Sequence, residues 1–253
     1  MNHQVQILAI PFNEDIPAAK ESLFCAGKIK ENSLDGLIIG ASQLNREEFT
    51  LLQKHSFPFI LVATSLHSTN FNWVCPDYYQ AAFLLFEHLL SSGHQQIGFV
   101  GGLHHTNIVD QDRFRAYQDV MKAHSLYSSE EFWQDWDYRE RDKFPQIARE
   151  FIAEHRNLTA ICSPDDLMAL QIITEAEKSG LSVPKDLAVA GFGNFSEGRD
   201  FRIPLTTIRL RRKETGRIAF KSLYKMVKGQ INKPVQLFLE PELIVRESTS
   251  RVS

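Results

Sequence analysis

The feature that most constrains this fold is the alternation, along almost the whole chain, of short continuous apolar runs with longer segments of helical periodicity. Strands that are apolar on both sides are typical of parallel sheets covered by helices on both faces. About seven such units in 253 residues predict an α/β fold with two parallel-sheet subdomains. The strand candidates are VQILAI (5–10), GLIIG (36–40), PFILVA (58–63), QIGFVGG (96–102), TAIC (159–162), LAVAGF (187–192) and LTTIR (205–209).

Charge and composition argue against several classes of protein. The 28 basic and 31 acidic residues give a net charge of −3 and form no long block of one sign, so the chain offers no strong electrostatic footprint for nucleic acid or a membrane surface. The N-terminus MNHQVQILAIPFNED lacks the regions of a signal peptide, and no window approaches the roughly 18 apolar residues of a membrane span. Cys25, Cys75 and Cys162 lie far apart among apolar residues, which is typical of buried free thiols. We therefore expect a cytoplasmic protein without a membrane partner.

The stretch LAVAGFGNFSEG (187–198) carries Gly191, Gly193 and Gly198 directly after a strand candidate. Such glycines can bring backbone N–H groups close to a phosphate. The spacing fits neither the G-x-G-x-x-G dinucleotide fingerprint nor the G-x-x-x-x-G-K-[ST] loop. The pattern therefore argues against a nucleotide site, but the loop stays a candidate because ligands of open α/β folds bind beyond the strand ends.

Two pairs of side chains raise the question of catalysis. Asp165 and Asp166 follow a strand and precede a helix, where adjacent carboxylates point apart and helix capping is the favoured role. His104 and His105 follow another strand, but no third ligand stands at a recognisable metal-binding spacing. Neither a G-x-S-x-G elbow nor a Cys/His signature is present. We predict no enzyme activity, no metal site and no cofactor.

Arg113 and several aromatic residues are candidates for ligand contact. Arg113 lies near a predicted helix start, where the helix dipole disfavours a cation, so it is either a solvated surface residue or a forked donor to ligand oxygens. Trp73, Trp133, Trp136 and Tyr138 fit the core or the rim of a cleft, and one of them could stack on a sugar ring. The sequence leaves these alternatives open.

Five segments in order resemble the effector-binding domain of the LacI/GalR family of bacterial transcription regulators. They are SSGHQQIGFVGG, DRFRAY, CSPDDLMALQIITEAEKSGLSVPKDLAVAGFG, IPLTTIRL and EPELIVREST, and the similarity runs from about Asp35 to Thr249. The resemblance implies two Rossmann-like subdomains of the periplasmic-binding-protein-like (type I) fold, joined by three crossovers. It also implies a small effector in the cleft between them, and a homodimer that binds operator DNA through an N-terminal headpiece.

The resemblance also implies a division of the chain. The N-terminal subdomain is predicted to comprise 1–75 and 211–234, and the C-terminal subdomain 76–210 and 235–253. No helix-turn-helix precedes the domain in this sequence, and the spacing of the first two strand candidates predicts that the first βα unit is missing as well. We therefore expect operator binding only through a headpiece absent from this chain.

The family's binding residues map onto specific positions. Arg113 in DRFRAY matches the arginine that grips ligand hydroxyls, and Asp165 in PDDLMAL matches a cleft Asn or Asp, with Asp166 at the helix start. Asp77 in CPDYY matches an acidic residue at the crossover. Gly193 replaces the Asp of the family's usual G-[YF]-D. The remaining predicted ligand-binding residues, on a less certain alignment, are Arg139 and Arg212.

Gly193 bears on the nature of the effector. Without a carboxylate at this position the cleft lacks a charge that would repel an anion, at a cost of about 1 kcal/mol at 4 Å in water and several times more near a protein surface. The sequence thus predicts an effector-sensing domain that binds a sugar or, by this argument, a sugar acid such as gluconate. A free-standing sugar-binding protein of a transport system is the alternative, although it would carry a secretory signal.

Overall fold

The computed structural model describes residues 35–40, 57–62, 71–102, 108–126, 132–137, 140–231 and 233–250. Strands and helices alternate through most of these ranges, and a short 3-10 helix (Glu247–Thr249) follows the last strand. The elements in chain order are β1 (Leu37–Gly40), β2 (Phe59–Val62), β3 (Trp73–Pro76), α1 (Tyr78–Ser91), β4 (Ile97–Val100), α2 (Ile108–Ala123), β5 (Trp133–Gln134), α3 (Phe144–Glu154), β6 (Ala160–Cys162), α4 (Asp166–Lys178), β7 (Ala188–Phe192), α5 (Ser196–Arg199), β8 (Thr206–Arg209), α6 (Arg212–Val227), β9 (Gln236–Leu239) and β10 (Glu242–Ile244).

The strands form two separate sheets. The first has the order β1-β2-β3-β9 and is parallel throughout. The second has the order β10-β8-β7-β6-β4-β5 and is parallel except for β10, which runs antiparallel to β8. The predicted α/β class with two parallel-sheet lobes is confirmed. The strand candidate at 5–10 lies outside the described residues.

Helices cover both faces of the second sheet. On one face α1 and α2 pack together, with the rings of Phe86 and Tyr117 5.2 Å apart. On the other face α3 and α4 contribute Phe151 and Ile172 to a second apolar cluster. Because both faces are covered, every residue of β4 and β7 is buried, and their sequences are apolar apart from the glycines.

Capping residues set the ends of α1 and α4. Asp77 accepts a hydrogen bond from the N–H of Gln80 (2.8 Å) at the start of α1, and Gly93 follows that helix with φ of 85°. Asp165 accepts from the N–H of Met168 (2.8 Å) at the start of α4, and Gly180 follows with φ of 84°. Each pair thus satisfies backbone groups that an α-helix leaves open at its ends.

The chain passes between the two sheets at three crossovers, and hydrogen bonds join these crossovers to one another. They lie between β3 and α1, between β8 and α6, and between β9 and β10. The N–H of Asp77 donates to the carbonyl of Leu239 (3.1 Å), which links the first crossover to the third. Nε of Arg211 donates to the carbonyl of Glu240 (2.9 Å), which links the second to the third.

The division of the chain into subdomains differs from the pairing of the strands at one point. The prediction assigns 235–253 to the C-terminal subdomain, whereas β9 pairs with β3 from Trp73 to Pro76 in the first sheet. The third crossover therefore follows Leu239 rather than residue 234. Only pairing with a strand more than 150 residues earlier reveals this, because nothing local in QLFL indicates which sheet it joins.

Cys75 and Cys162 are buried, as predicted, and neither forms a disulfide within the described residues. Burial raises the pKa of the Cys162 thiol well above its usual range, so this thiol stays protonated. Cys25 lies outside the described residues. None of the helices in the described part of the chain combines the length and the apolarity that crossing a bilayer requires.

Two glycines give a matched test of this packing. A Cβ at Gly98 in β4 would lie 2.8 Å from Cδ1 of Leu158 and 2.9 Å from Cε1 of Phe151, whereas a Cβ at Gly216 in α6 would meet nothing within 4 Å. We expect Gly98→Ala to lower the free energy of unfolding by about 1–3 kcal/mol. Gly216→Ala is expected to raise it by about 0.5–1 kcal/mol. Urea unfolding followed by circular dichroism measures both, and equal effects of the two substitutions would contradict this packing.

Candidate functional site

The candidate site lies at the edge of the second sheet where β4, β6 and β7 end. Parallel strands bring their carboxyl ends to one edge, so the segments after Val100, Cys162 and Phe192 are neighbours there. The first crossover joins this edge through Tyr78, whose ring lies near the guanidinium of Arg113. Five of the six predicted ligand-binding positions lie within the described residues, and three of them, Arg113, Asp165 and Gly193, lie at this edge.

Arg113 is a buried residue in the second turn of α2. It is 5% exposed, which excludes the surface alternative. Nη1 donates to Oδ1 of Asp110 (2.8 Å), and Nη2 donates to the carbonyl of Pro164 (3.3 Å). Its guanidinium also lies over the rings of Tyr78 (5.6 Å) and Phe192 (4.7 Å). These contacts hold a fixed, charged donor beside the strand ends.

Gly102 makes room for the ion pair that holds Arg113. It has φ of 68°, and a Cβ there would collide with the carboxylate of Asp110. Asp110 is itself 1% exposed, so the ion pair with Arg113 is buried on both sides. The glycine that ends GFVGG, before α2, thus leaves space for the Asp110 carboxylate to pair with the buried guanidinium of Arg113.

Asp165 and Asp166 have separate roles, as the capping argument predicts. Asp165 caps α4, next to the residue whose carbonyl accepts from Arg113. Asp166 is buried and accepts from the N–H of Phe195 (2.6 Å) and from Oγ1 of Thr207 (2.5 Å). Burial raises the pKa of the Asp166 carboxyl, although these two hydrogen bonds oppose the shift. Both carboxylates are engaged in structural hydrogen bonds, which disfavours an acid–base pair.

The glycine loop after β7 uses its backbone N–H groups within the protein. The N–H of Gly193 donates to the carbonyl of Ile208 (2.7 Å), that of Asn194 to Oγ1 of Thr207 (3.2 Å), and that of Phe195 to Asp166. Since none of the three N–H groups is left for a phosphate, the structure agrees with the rejection of a nucleotide loop.

Gly193 and Arg212 lie against each other. A Cβ at Gly193 would be 3.0 Å from Nη1 and 3.2 Å from Nη2 of Arg212, and Gly193 has φ of 134°. The guanidinium lies over the ring of Phe195, with 4.6 Å between Cζ and the ring centroid. Among the described residues, no hydrogen bond or ion pair occupies this side chain. The missing side chain at Gly193 thus leaves space beside an available cation.

Tyr78 is a site residue that the sequence reasoning missed. It follows Asp77 at the first crossover, and burial raises the pKa of its hydroxyl, while the charges of Arg113 and Arg212 act in the opposite direction. The hydroxyl therefore stays protonated, beside the guanidinium of Arg113. The feature of the sequence that could have indicated Tyr78 is its place directly after Asp77 in PDYY, where the chain crosses from one lobe to the other.

The structure does not place the other predicted residues in the site. Arg139, Tyr138, His104 and His105 lie outside the described residues. The three tryptophans are at most 5% exposed and pack in the apolar clusters, so they do not offer a face to a sugar. Within the described ranges, no group of three or more His, Cys, Asp or Glu side chains is placed to hold a metal ion.

The buried carboxyl of Asp166 gives a test with a defined sign. Because its folded pKa is raised above the ordinary 3.8, the folded state binds the proton more tightly than the unfolded state does. The contribution to stability is therefore complete at acidic pH and is lost as pH rises through the folded pKa. We expect the stability of the wild type relative to Asp166→Asn to fall as pH rises from about 4 toward 7, in urea unfolding at a series of pH values.

Asp200 is the matched control for this experiment. The pKa of its carboxyl is lowered from the ordinary 3.8 by the hydrogen bond from Arg199, so the stability of the wild type relative to Asp200→Asn should stay nearly constant from about pH 4 to 7 and fall only at lower pH. The same trend for both variants would show that burial does not govern Asp166.

Comparisons with known proteins agree with this architecture. The profile of the periplasmic binding protein-like domain matches residues 86–249, more than half of the chain. The chain is 26% identical over 221 residues to the HTH-type transcriptional repressor PurR of Photobacterium profundum, and the match covers 87% of this chain and 66% of that repressor. The chain thus spans slightly less than two thirds of the length of this relative.

Two solved structures show the same fold. A regulatory protein of the LacI family from Chloroflexus aggregans superposes with a TM-score of 0.81 at 25% identity, covering 94% of this chain and 84% of that one. The lac repressor dimer bound to operator and the anti-inducer ONPF superposes with a TM-score of 0.77 at 22% identity, covering 90% of this chain and 79% of that one. With two parallel-sheet lobes, three crossovers and this profile match, the chain belongs to the periplasmic binding protein-like domain family, as an effector-binding domain of the LacI type.

Proposed function

We propose that this domain senses a small-molecule effector for a LacI-family transcriptional regulator. The observation that carries the proposal is the position of the candidate donors: Tyr78 directly follows the first crossover, and Arg212 directly follows the second. A ligand bound there contacts the segments about which the two lobes move. It can shift the regulator between two arrangements if it binds one of them better than the other.

The proposed ligand contacts come from both sides of the site. Arg113 and Arg212 donate from their guanidinium groups, and Tyr78 donates from its hydroxyl. Asp165 and Asp77 use the carboxylate oxygens that are not needed for helix capping, since each cap hydrogen bond engages one oxygen. Gly193 provides space, and Arg139 completes the proposed set.

We propose that the effector is a sugar acid such as gluconate. Two guanidinium groups act on the same tyrosine hydroxyl, and the position beside Arg212 holds a glycine in place of a carboxylate. Asp110 pairs with Arg113, whereas Arg212 forms no ion pair with a carboxylate among the described residues, so its guanidinium can pair with a ligand anion.

The proposal extends to the intact regulator. PurR is a transcriptional repressor by name, and the lac repressor structure is a dimer on operator DNA. We propose that this chain also works as a homodimer whose intact form binds an operator through a headpiece, in the cytoplasm and without enzyme activity. The engagement of Asp165 and Asp166 in structural hydrogen bonds supports a binding role rather than a catalytic one.

Isothermal titration calorimetry with gluconate and glucose tests the class of effector. We expect gluconate to bind at least about ten-fold more tightly than glucose, because an ion pair near a protein surface is worth a few kcal/mol before desolvation. The single variant Arg212→Ala should reduce this preference. The single variant Gly193→Asp should reduce it more strongly, because it places a carboxylate beside Arg212. Tighter binding of glucose by the wild type, or a preference that survives both substitutions, would contradict an anionic effector.

Arg113→Ala tests the site itself. We expect it to weaken effector binding by about 1.5–3 kcal/mol, the range for a hydrogen bond to a charged group. It should also lower stability, because the buried Asp110 carboxylate loses its ion pair with Arg113. The double variant Asp110→Asn, Arg113→Ala also removes the buried carboxylate charge and should regain stability without regaining affinity.

Arg115→Ala is the control for Arg113. It lies on the same helix, and its side chain is 58% exposed and paired with Asp112. Its loss should change neither affinity nor stability by more than about 0.5 kcal/mol. If both arginines affect binding equally, Arg113 is not a ligand contact.

A further inference from the structure

The helix α6 concentrates positive charge in a chain that is acidic overall. Residues 211–230 contain seven of the 28 Lys and Arg residues and only one of the 31 Asp and Glu residues. The basic residues are separated by other residues, so the sequence shows no continuous run. The fold, however, brings them to one surface.

The inner face of α6 determines which side chains face outward. Ala219 and Leu223 are buried against Ile60 and Val74 of the first sheet, and Thr215 is buried one turn before them. Because an α-helix has 3.6 residues per turn, residues at the other positions form an exposed side. Lys213, Arg217, Lys221 and Lys225 recur there at intervals of four, and all are exposed.

Two aromatic rings lie among these cations. Phe220 is 42% exposed and Tyr224 is 44% exposed, one turn apart on the same side of the helix. Nζ of Lys228 lies 5.7 Å from the centroid of the Tyr224 ring, which extends the basic surface past the last turn. We call Lys213, Arg217, Phe220, Lys221, Tyr224 and Lys225 the α6 basic face.

In the part of the chain that the structure describes, few carboxylates compensate the charges of the α6 basic face. Glu214 pairs with Arg211 (3.3 Å) and Arg217 (3.8 Å) near the start of the helix. Further along, neither Lys221 nor Lys225 has an ion-pair partner among the described residues, and like charges at this spacing repel each other. An isolated surface gains nothing from such an arrangement, whereas a negatively charged partner would remove the repulsion.

We propose that the α6 basic face docks the acidic surface of a partner protein that has an apolar centre. Exposed aromatic side chains surrounded by basic ones have the composition of a binding hot spot with a charged rim. A two-fold contact between two copies of this chain through this face is disfavoured, because it would oppose identical positive charges. Phosphate contacts of duplex DNA would use the lysines but leave the two rings exposed, so a protein surface fits better.

Fluorescence anisotropy with defined peptides tests this docking surface on the full 253-residue chain. The probe is a fluorescein-labelled helical peptide with a Leu and Phe stripe flanked by Glu, and the reference is the same peptide with that stripe replaced by Ser. We expect the double variant Lys221→Glu, Lys225→Glu to weaken probe binding at least about ten-fold. The double variant Phe220→Ala, Tyr224→Ala should weaken it to a similar extent.

Lys185→Glu provides the matched control, because Lys185 is an exposed lysine outside α6. It should change the dissociation constant by less than about two-fold, and circular dichroism should show that all the variants remain folded. Binding of the probe should also weaken as salt rises from about 50 to 300 mM.

Several outcomes would overturn the proposal. Equal binding of the probe and the Ser reference would mean that the rings take no part. Equal losses in Lys185→Glu and in the α6 charge reversal would mean that only net charge matters. Tighter binding of a 20-base-pair DNA duplex than of the probe, abolished by the same charge reversal, would assign the face to nucleic acid. A change in oligomeric state with Phe220→Ala, Tyr224→Ala would assign it to self-association.

Discussion

The buried carboxylate of Asp166 holds together the segments on which the candidate site is built. It accepts hydrogen bonds from the loop after β7 and from β8, while its own backbone starts α4. Gly191 permits this arrangement, since a Cβ there would lie 2.7 Å from Oδ1 of Asp166. A buried carboxylate destabilises the folded state unless donors satisfy its oxygens. Losing either donor would therefore remove a contact that holds the loop and leave a carboxylate oxygen buried without that hydrogen bond.

The loop that Asp166 holds is also fixed from the other side. Arg246, beyond the third crossover, donates to Oδ1 of Asn194 (2.7 Å) and to the carbonyl of Leu205 (2.6 Å). Asn194 has φ of 54°, a conformation that such a side-chain contact helps to stabilise. The position of Gly193 beside Arg212 therefore depends on residues from four separate segments. A site built in this way has its geometry set before a ligand arrives.

Local features of this fold are readable in the sequence, and non-local ones are not. The caps Asp77 and Asp165 and the apolar strand runs act over a few residues, so propensity and periodicity predict them. The place of β9 beside β3 depends on pairing across most of the chain, and nothing near QLFL encodes it. The burial of Arg113 could not be predicted either, because its contacts Pro164 and Phe192 come from the segment after β6 and from β7. The positive charge of α6 was missed because a spacing of four residues leaves no contiguous block.

The length of α6 has a consequence for regulation. The helix has 16 residues and is thus about 24 Å long, and it begins at Arg212 beside the ligand loop while its side carries the α6 basic face. A rod of this kind moves as one body, since bending it would break its hydrogen bonds. Any effector that displaces the first turn therefore tilts the docking face, and a protein held on that face biases the first turn in return. Thermodynamic linkage makes the two effects equal in free energy. Binding of the effector would therefore change the affinity of the α6 basic face for its partner, and binding of the partner would change the affinity for the effector by the same factor.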